Sequence, residues 1–276
     1  MLSSSPKKHI LIFSDLDGTV LSSIDYSPGS SLNAVDLALK QGMEFVLVSS
    51  KTRAEIEFLQ NNFGWNFPFI SENGGAIYMP EEKALKNMSE NFVKDGHFWK
   101  REFGVSYSEI CNALRQISEK LKIKITAFHQ LSAEQVADLA NLPQEQAKLT
   151  KIREYDEPFL IAKEDESKIP LVIQEIEKWG LRYTRGGRYH HIISYFDKGQ
   201  TVKVFKELYQ KDYNELVTVA IGDAKNDVPM FKQVDYPFLV RKNDGSYDKE
   251  AAIQNITITK GIGPEGFAEA INLFLT

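Results

Sequence analysis

Short, wholly apolar runs alternate with amphipathic stretches over the first part of the chain. Residues 10–13 and 45–48 are such runs, the pattern of strands buried on both faces of a sheet. Between them, Ser27-Pro28 predicts a helix start with Pro at its tolerated first position. Leu32, Val35 and Leu39 follow at helical spacing, and Gly42 marks the stop. Thr52 with Glu55 has the form of a capping box for a helix reaching about Asn62. Phe69-Ile70 reads as a third short strand, ending at Glu72-Asn73-Gly74-Gly75. The pattern returns near the C-terminus, with a helix over 200–211, a strand over 217–221, a short helix and a strand over 237–240. Repeated βα units predict a parallel sheet with helices on both faces.

The middle of the chain reads differently. Ser106 with Glu109, and Ser132 with Gln135, mark two helix starts, and Gly180 ends a third helix over 170–179. Strands are expected at 124–128 and 159–161, and an extended stretch with a Gly186-Gly187 kink over 182–193. The fold class expected is therefore α/β: a Rossmann-like parallel-sheet core from residues 1–83 and 193–276, interrupted by an inserted α+β unit over 84–192. No internal repeat is evident.

Composition narrows the class. Hydrophobic residues make up 42 % and charged residues 26 % of the 276, ordinary for a soluble globular chain. The net charge of −5 argues against nucleic acid as a partner, which needs a broad cationic surface. A small anion needs only a local group of Lys and Arg. No run approaches the roughly 18 apolar residues of a membrane span. Lys7 and Lys8 precede an apolar stretch too short for a signal sequence, so residues 1–8 read as a loose tail and the expected location is cytoplasmic. Asn87-Met88-Ser89 and Asn255-Ile256-Thr257 then match the glycosylation triplet by chance. The single cysteine, Cys111, excludes an internal disulfide and reads as a small apolar filler.

Three strand ends carry candidate chemistry. Asp15-Leu16-Asp17-Gly18-Thr19 follows the first strand, and residues two apart on an extended chain point the same way. Asp15 and Asp17 would repel unless a cation joined them, and hard oxygen ligands with room for water suit Mg²⁺. Gly222-Asp223-Ala224-Lys225-Asn226-Asp227 puts two more carboxylates after the 217–221 strand, and Ser49-Ser50 puts hydroxyls after the 45–48 strand. Lys198-Gly199, just before a helix, adds a cation. Alone, an Asp-x-Asp is often only a turn and Ser-Ser only a helix start. Ligands of open α/β sheets sit beyond the carboxyl ends of the strands, where all of these groups converge.

The constellation resembles the haloacid dehalogenase superfamily of phosphotransferases, over nearly the whole chain. The resemblance implies Asp15 as the nucleophile and Asp17 as general acid and base. It implies Ser49, with Ser50 as rival, on the phosphoryl oxygens, and Lys198 neutralising the phosphate. Mg²⁺ is then held by Asp15, the Asp17 carbonyl and Asp223, with Asp227 as ligand or anchor. The inserted unit takes the position of the family's cap domain, which sets substrate choice.

A narrower resemblance, to mannosyl-3-phosphoglycerate phosphatases, rests on four stretches. They are Ser49-Ser50-Lys51-Thr52-Arg53-Ala54-Glu55, Glu72-Asn73-Gly74-Gly75-Ala76-Ile77, Gly186-Gly187-Arg188-Tyr189-His190 and Gly263-Pro264-Glu265-Gly266. This implies hydrolysis of a mannosyl or glucosyl glycerate phosphate, giving a compatible solute. Lys51, Arg53, Arg185 and Arg188 are the expected partners of its anionic groups. Asn73, the Gly74-Gly75 amides, Gly187 and His190 are further candidate contacts. A phosphomutase resembling phosphomannomutase, which shares the Asp-x-Asp-Gly-Thr start, is the alternative enzyme, and a sugar-phosphate sensor the non-enzymatic one. Residues 261–266 match G-x-G-x-x-G, but too little chain follows for a dinucleotide βαβ unit, so they read as a loop entering the last helix.

Overall fold

A computed structural model describes residues 8–86, 88, 91–186 and 188–275. The expected tail, apart from Lys8, and Asn87 and Ser89 of the first triplet lie outside them. The strands are β1 (His9–Ser14), β2 (Glu44–Val48), β3 (Phe69–Ser71), β4 (Ala76–Pro80), β5 (Val93–Asp95), β6 (Phe98–Glu102), β7 (Ile125–Ala127), β8 (Asp156–Ile161), β9 (Arg182–Gly186), β10 (Tyr189–Ile193), β11 (Leu216–Gly222), β12 (Tyr236–Arg241) and β13 (Thr257–Ile262). The α-helices are α1 (Ser31–Lys40), α2 (Arg53–Phe63), α3 (Tyr107–Leu121), α4 (Ala133–Ala140), α5 (Gln144–Thr150), α6 (Ile169–Lys178), α7 (Lys198–Asp212), α8 (Val228–Phe231) and α9 (Pro264–Asn272).

The described residues form a nine-stranded sheet in the order β13-β12-β11-β1-β2-β3-β4-β6-β5 and a four-stranded sheet, β7-β8-β10-β9. In the large sheet β13 through β3 run parallel, and β4, β6 and β5 are antiparallel additions. Strand β1 is central because residues 10–13 are apolar on both faces. Ile12 joins the apolar cluster on one side, with Val35, Phe45 and Phe267. Leu11 and Phe13 join the other, with Phe205 and Tyr209. Each such side chain contributes about 1.5–3 kcal/mol by leaving water.

Three departures from the sequence pattern have physical reasons. Helix α1 starts at Ser31, not at Ser27-Pro28, because Ser27 is tied to Asp25 in a turn and Gly29 is left-handed at φ +45°. It buries Ala34, Val35 and Ala38, while Leu39 is 38 % exposed. Residues 72–75 are a hairpin turn, with Glu72 and Asn73 both at positive φ, so the chain returns as β4. Strands β5 and β6 fall inside the 84–192 stretch expected as a separate unit, yet extend the large sheet, pairing through β4. The smaller sheet begins only after them. Residues 261–266 are the end of β13 and the start of α9; a Cβ on Gly261 would sit 2.6 Å from the Gly266 nitrogen, so these glycines permit strand and helix to touch.

The smaller sheet is seated on the large one through residues 153–156. The Glu72 carboxylate accepts hydrogen bonds from the amides of Glu154, Tyr155 and Asp156, and Arg153 donates to the Ser50 carbonyl at 2.8 Å. Tyr155 enters the large sheet's apolar cluster, where a Cβ on Gly75 or Gly104 would come within 2.3 or 2.4 Å of it. Among the described residues, no helix is long and apolar enough to cross a membrane.

Candidate active site

Three adjacent strand ends meet at one point. β1 lies between β11 and β2, so Asp15, Asp223 and Ser49 emerge side by side. The Asp15 amide donates to the Ile221 carbonyl at 2.9 Å, which locks the end of β1 to that of β11. Gly18, at φ +77°, turns the chain away; a Cβ there would lie 2.6 Å from an Asp223 oxygen. A Cβ on Gly222 would likewise strike the Asp227 carboxyl, at 2.5 Å. Both positions need glycine because a carboxylate occupies the space a side chain would fill.

Lys198 completes the group from the first turn of α7. Asp197 caps that helix, its side chain accepting from the Gln200 amide at 2.9 Å. The turn at Gly74 packs against the cap: φ there is +114°, and a Cβ would lie 2.5 Å from the Asp197 carbonyl. The Lys198 ammonium then donates to Asp15 Oδ1 at 2.6 Å and to Asp227 Oδ1 at 2.7 Å. The other Asp227 oxygen accepts from the Asp223 and Ala224 amides, both at 3.1 Å. Asp227 is thus engaged on both oxygens within the protein.

Carboxylate oxygens of Asp15, Asp223 and Asp227 lie within 4.8 Å of one another. Burial pushes the Asp15 carboxyl up to about 7, with the Lys198 ammonium opposing and Asp227 adding to the rise. Burial, then Asp15 and Asp227, raise Asp223 as well. Burial alone would lower Lys198, but Asp15 and Asp227 hold it above the usual lysine range. Three carboxylates against one ammonium leave excess negative charge in a buried place. A dication would bring the cluster to neutrality, and its oxygen donors fit a hard ion such as Mg²⁺. The Asp17 carboxylate stands outside this cluster and bonds the Lys51 ammonium at 3.0 Å.

Asp15, Asp17 and Asp223 floor a cavity of about 410 Å³, walled by Ser50, Lys51 and Tyr26 and roofed by Phe128, Leu142, Arg188, Tyr189 and His191 of the smaller layer. Lys51 is pinned between Asp17 and Glu55, the latter at 3.7 Å, and Glu55 in turn accepts from Thr150 Oγ1 at 2.8 Å. Of the two serines, Ser50 is on the cavity wall. Ser49 is fully buried and its hydroxyl accepts the Lys51 amide at 3.2 Å.

Several residues expected at the substrate are elsewhere. Arg53 points away, held by Glu57 and Asp95 and stacked 5.0 Å over the Tyr78 ring. Asn73 donates to Asp156 and accepts from Asn226, so both ends of its amide are used within the protein. Gly74 and Gly75 are close-packing positions rather than open amides, against Asp197 and Tyr155. Arg185 is exposed and does not line the cavity, whereas Arg188 does. Gly187 lies outside the described residues. His190 faces the interior of the smaller layer, with Nδ1 2.7 Å from the Tyr183 hydroxyl and its ring stacked on Phe159. Its neighbour His191 faces the cavity. Strand parity explains this: His190 shares its face with Ile192 of the apolar core, and His191 shares the other with Tyr189. The sequence does not separate the two, because Ile192 and Ile193 put an isoleucine on each face. Cys111 is half-buried, its thiol pushed up to about 11 by burial and Glu157, and stays protonated.

The family model of haloacid dehalogenase-like hydrolases matches residues 12–266. The chain belongs to the haloacid dehalogenase-like hydrolases. Among its relatives is a glucosyl-3-phosphoglycerate/mannosyl-3-phosphoglycerate phosphatase of Methanococcoides burtonii, 44 % identical over 267 residues and 96 % of each chain. A mannosyl-3-phosphoglycerate phosphatase of Pyrococcus furiosus is 33 % identical, over 91 % of this chain and 97 % of its own. Among solved structures of this hydrolase fold, a Thermoplasma acidophilum protein superposes with a TM-score of 0.68 at 20 % identity, covering 97 % of this chain and 99 % of its own. A Bacteroides thetaiotaomicron phosphatase of the haloalkanoate superfamily gives 0.64 at 17 %, covering 99 % of each.

Proposed function

We propose that this hydrolase is a Mg²⁺-dependent phosphatase that removes phosphate from a glycosyl-3-phosphoglycerate, with mannose or glucose as the sugar. The observation that carries the chemistry is Lys198 bridging Asp227 to Asp15, which lines the floor of the cavity. The substrate reading is supported by the relatives' activities and by the high coverage of both chains.

In this reading Asp15 attacks phosphorus through its free carboxylate oxygen and forms an aspartyl phosphate, splitting hydrolysis into two easier steps. Asp17 gives a proton to the departing glycerate oxygen. It then takes one from the water that attacks the aspartyl phosphate. Lys198 and a hydroxyl of the Ser49-Ser50 pair hold the phosphoryl oxygens. Mg²⁺, on Asp15, Asp223 and the Asp17 carbonyl, would supply further charge neutralisation there. Asp227 keeps Lys198 and the 223–224 amides in position. The large sheet and its helices act as the catalytic core. The smaller sheet and its helices act as a cap, and Arg188 and Lys51 meet the substrate's anionic groups. Phosphate release from mannosyl- and glucosyl-3-phosphoglycerate with Mg²⁺, beside a panel of simple sugar phosphates, tests the reading. Turnover confined to the simple esters would discard the substrate and keep the chemistry.

A further inference from the structure

We propose that His191 is a specificity residue whose Nε2 accepts a hydrogen bond from a hydroxyl of the substrate's glycosyl group. The inference rests on the glycosyl phosphoglycerate reading and names the group that recognises the sugar.

The ring's orientation is fixed from behind. Its Nδ1 lies 2.8 and 3.0 Å from the two oxygens of Asp156. Asp156 is fully buried. Burial alone would raise its carboxyl, but His191, Arg153 and Asn73 hold it below the usual carboxylate range. An ionised carboxylate only accepts, so Nδ1 carries a proton, and in the neutral tautomer that this contact selects Nε2 is the acceptor. Nε2 makes no hydrogen bond among the described residues. It lies on the cavity side, 3.7 Å from where a Cβ on cavity-lining Gly186 would stand. An acceptor on a cavity wall is matched by a ligand that donates. The ionised phosphate and carboxylate of a phosphoglycerate carry no proton to give, and the donors on such a ligand are its sugar hydroxyls.

The acceptor is also pre-positioned relative to the reacting end. Asn73 donates to Asp156 Oδ2 at 2.6 Å and accepts from Asn226 at 3.1 Å, and Asn226 belongs to the loop that carries Asp223 and Asp227. Four side chains therefore fix the distance between the sugar contact and the phosphoryl site. Beside His191 the Phe128 and Tyr189 rings pack edge to face, 5.2 Å apart, and give the C–H face of a sugar an apolar surface.

The test compares wild type, H191A and H191Q on glucosyl-3-phosphoglycerate, its singly deoxygenated sugar analogues, glucose 6-phosphate and p-nitrophenyl phosphate. H191A is expected to lower kcat/KM for the glycosyl ester, relative to p-nitrophenyl phosphate, by about three- to tenfold, mainly through KM. H191Q, which keeps an acceptor, should recover part of the loss. One deoxy analogue should lose the same factor with wild type and nothing more with H191A. An unmoved ratio in H191A, or deoxy analogues that all still respond to it, overturns the assignment; thermal melts of both variants establish that they are folded. Should wild type ignore glycosyl phosphoglycerates but hydrolyse glucose 6-phosphate, the substrate reading falls and the same ratio on that ester decides the histidine's role. Hydrolysis indifferent to any sugar overturns both.

Discussion

The floor and the roof of the cavity are built on opposite plans. At the floor, Lys198 holds Asp15 and, beneath it, Asp227 at 2.6–2.7 Å, and Asp227 is engaged on both oxygens. On the roof, Arg188 is exposed and, among the described residues, His191 is bonded only at Nδ1. A group that moves charge during reaction must be placed before the substrate arrives, so its partners are internal. A group that recognises substrate must keep a valence open, so its internal partner is on one side only.

That contrast orders the expected effects. Asp15→Asn removes the nucleophile and should lower kcat by about 10⁴-fold or more while leaving the melting temperature unchanged or higher, since it relieves buried charge. A variant retaining even a tenth of wild-type turnover would break the floor half of the comparison. Lys198→Met removes the shared cation and should cost about 10³-fold in kcat. It also strands two buried carboxylates, so a stability loss of about 3–5 kcal/mol is expected without Mg²⁺, read by denaturant titration. Arg188→Ala, on the roof, should raise KM for a glycosyl phosphoglycerate about ten- to a hundredfold with little change in kcat, and steady-state kinetics on that ester decide it.

The smallest effect concerns pH. Asp15 titrates at about 7 in the folded metal-free protein, above its ordinary value of 3.8. A carboxyl raised on folding favours the folded state at low pH, and that contribution is lost as pH rises from about 4 through about 7. Mg²⁺ replaces the lost proton's charge. The Mg²⁺-induced rise in melting temperature should therefore grow from pH 5 to pH 8, reaching about 5–10 °C at about a hundred times the Kd. A shift that shrinks with pH would place the ion elsewhere.

The same contrast explains what could be read from the sequence. Asp15, Asp223 and Lys198 sit next to a strand end or helix start, so local pattern and chain order suffice to bring them together. The capping boxes at Thr52, Ser106 and Ser132 are equally local and are present as expected. The roof is not local: Phe128, Leu142 and the hairpin that carries Arg188 and His191 are three separate segments whose convergence depends on how the smaller sheet sits. Arg53 misled because a cation beside the serines has the right charge, and only the fold reveals Asp95 on its far side. Strands β5 and β6 were missed because Lys94, Lys100 and Arg101 break their apolar pattern. As outer strands they need no fully apolar face.

The most direct test of the account is to trap the aspartyl phosphate. The enzyme is mixed with glucosyl-3-phosphoglycerate and Mg²⁺, quenched in acid within one turnover and digested for peptide mass spectrometry. The account predicts phosphate on Asp15 in wild type and on no residue in Asp15→Asn. Phosphate on a different residue, or turnover with Asp15 never phosphorylated, would contradict it.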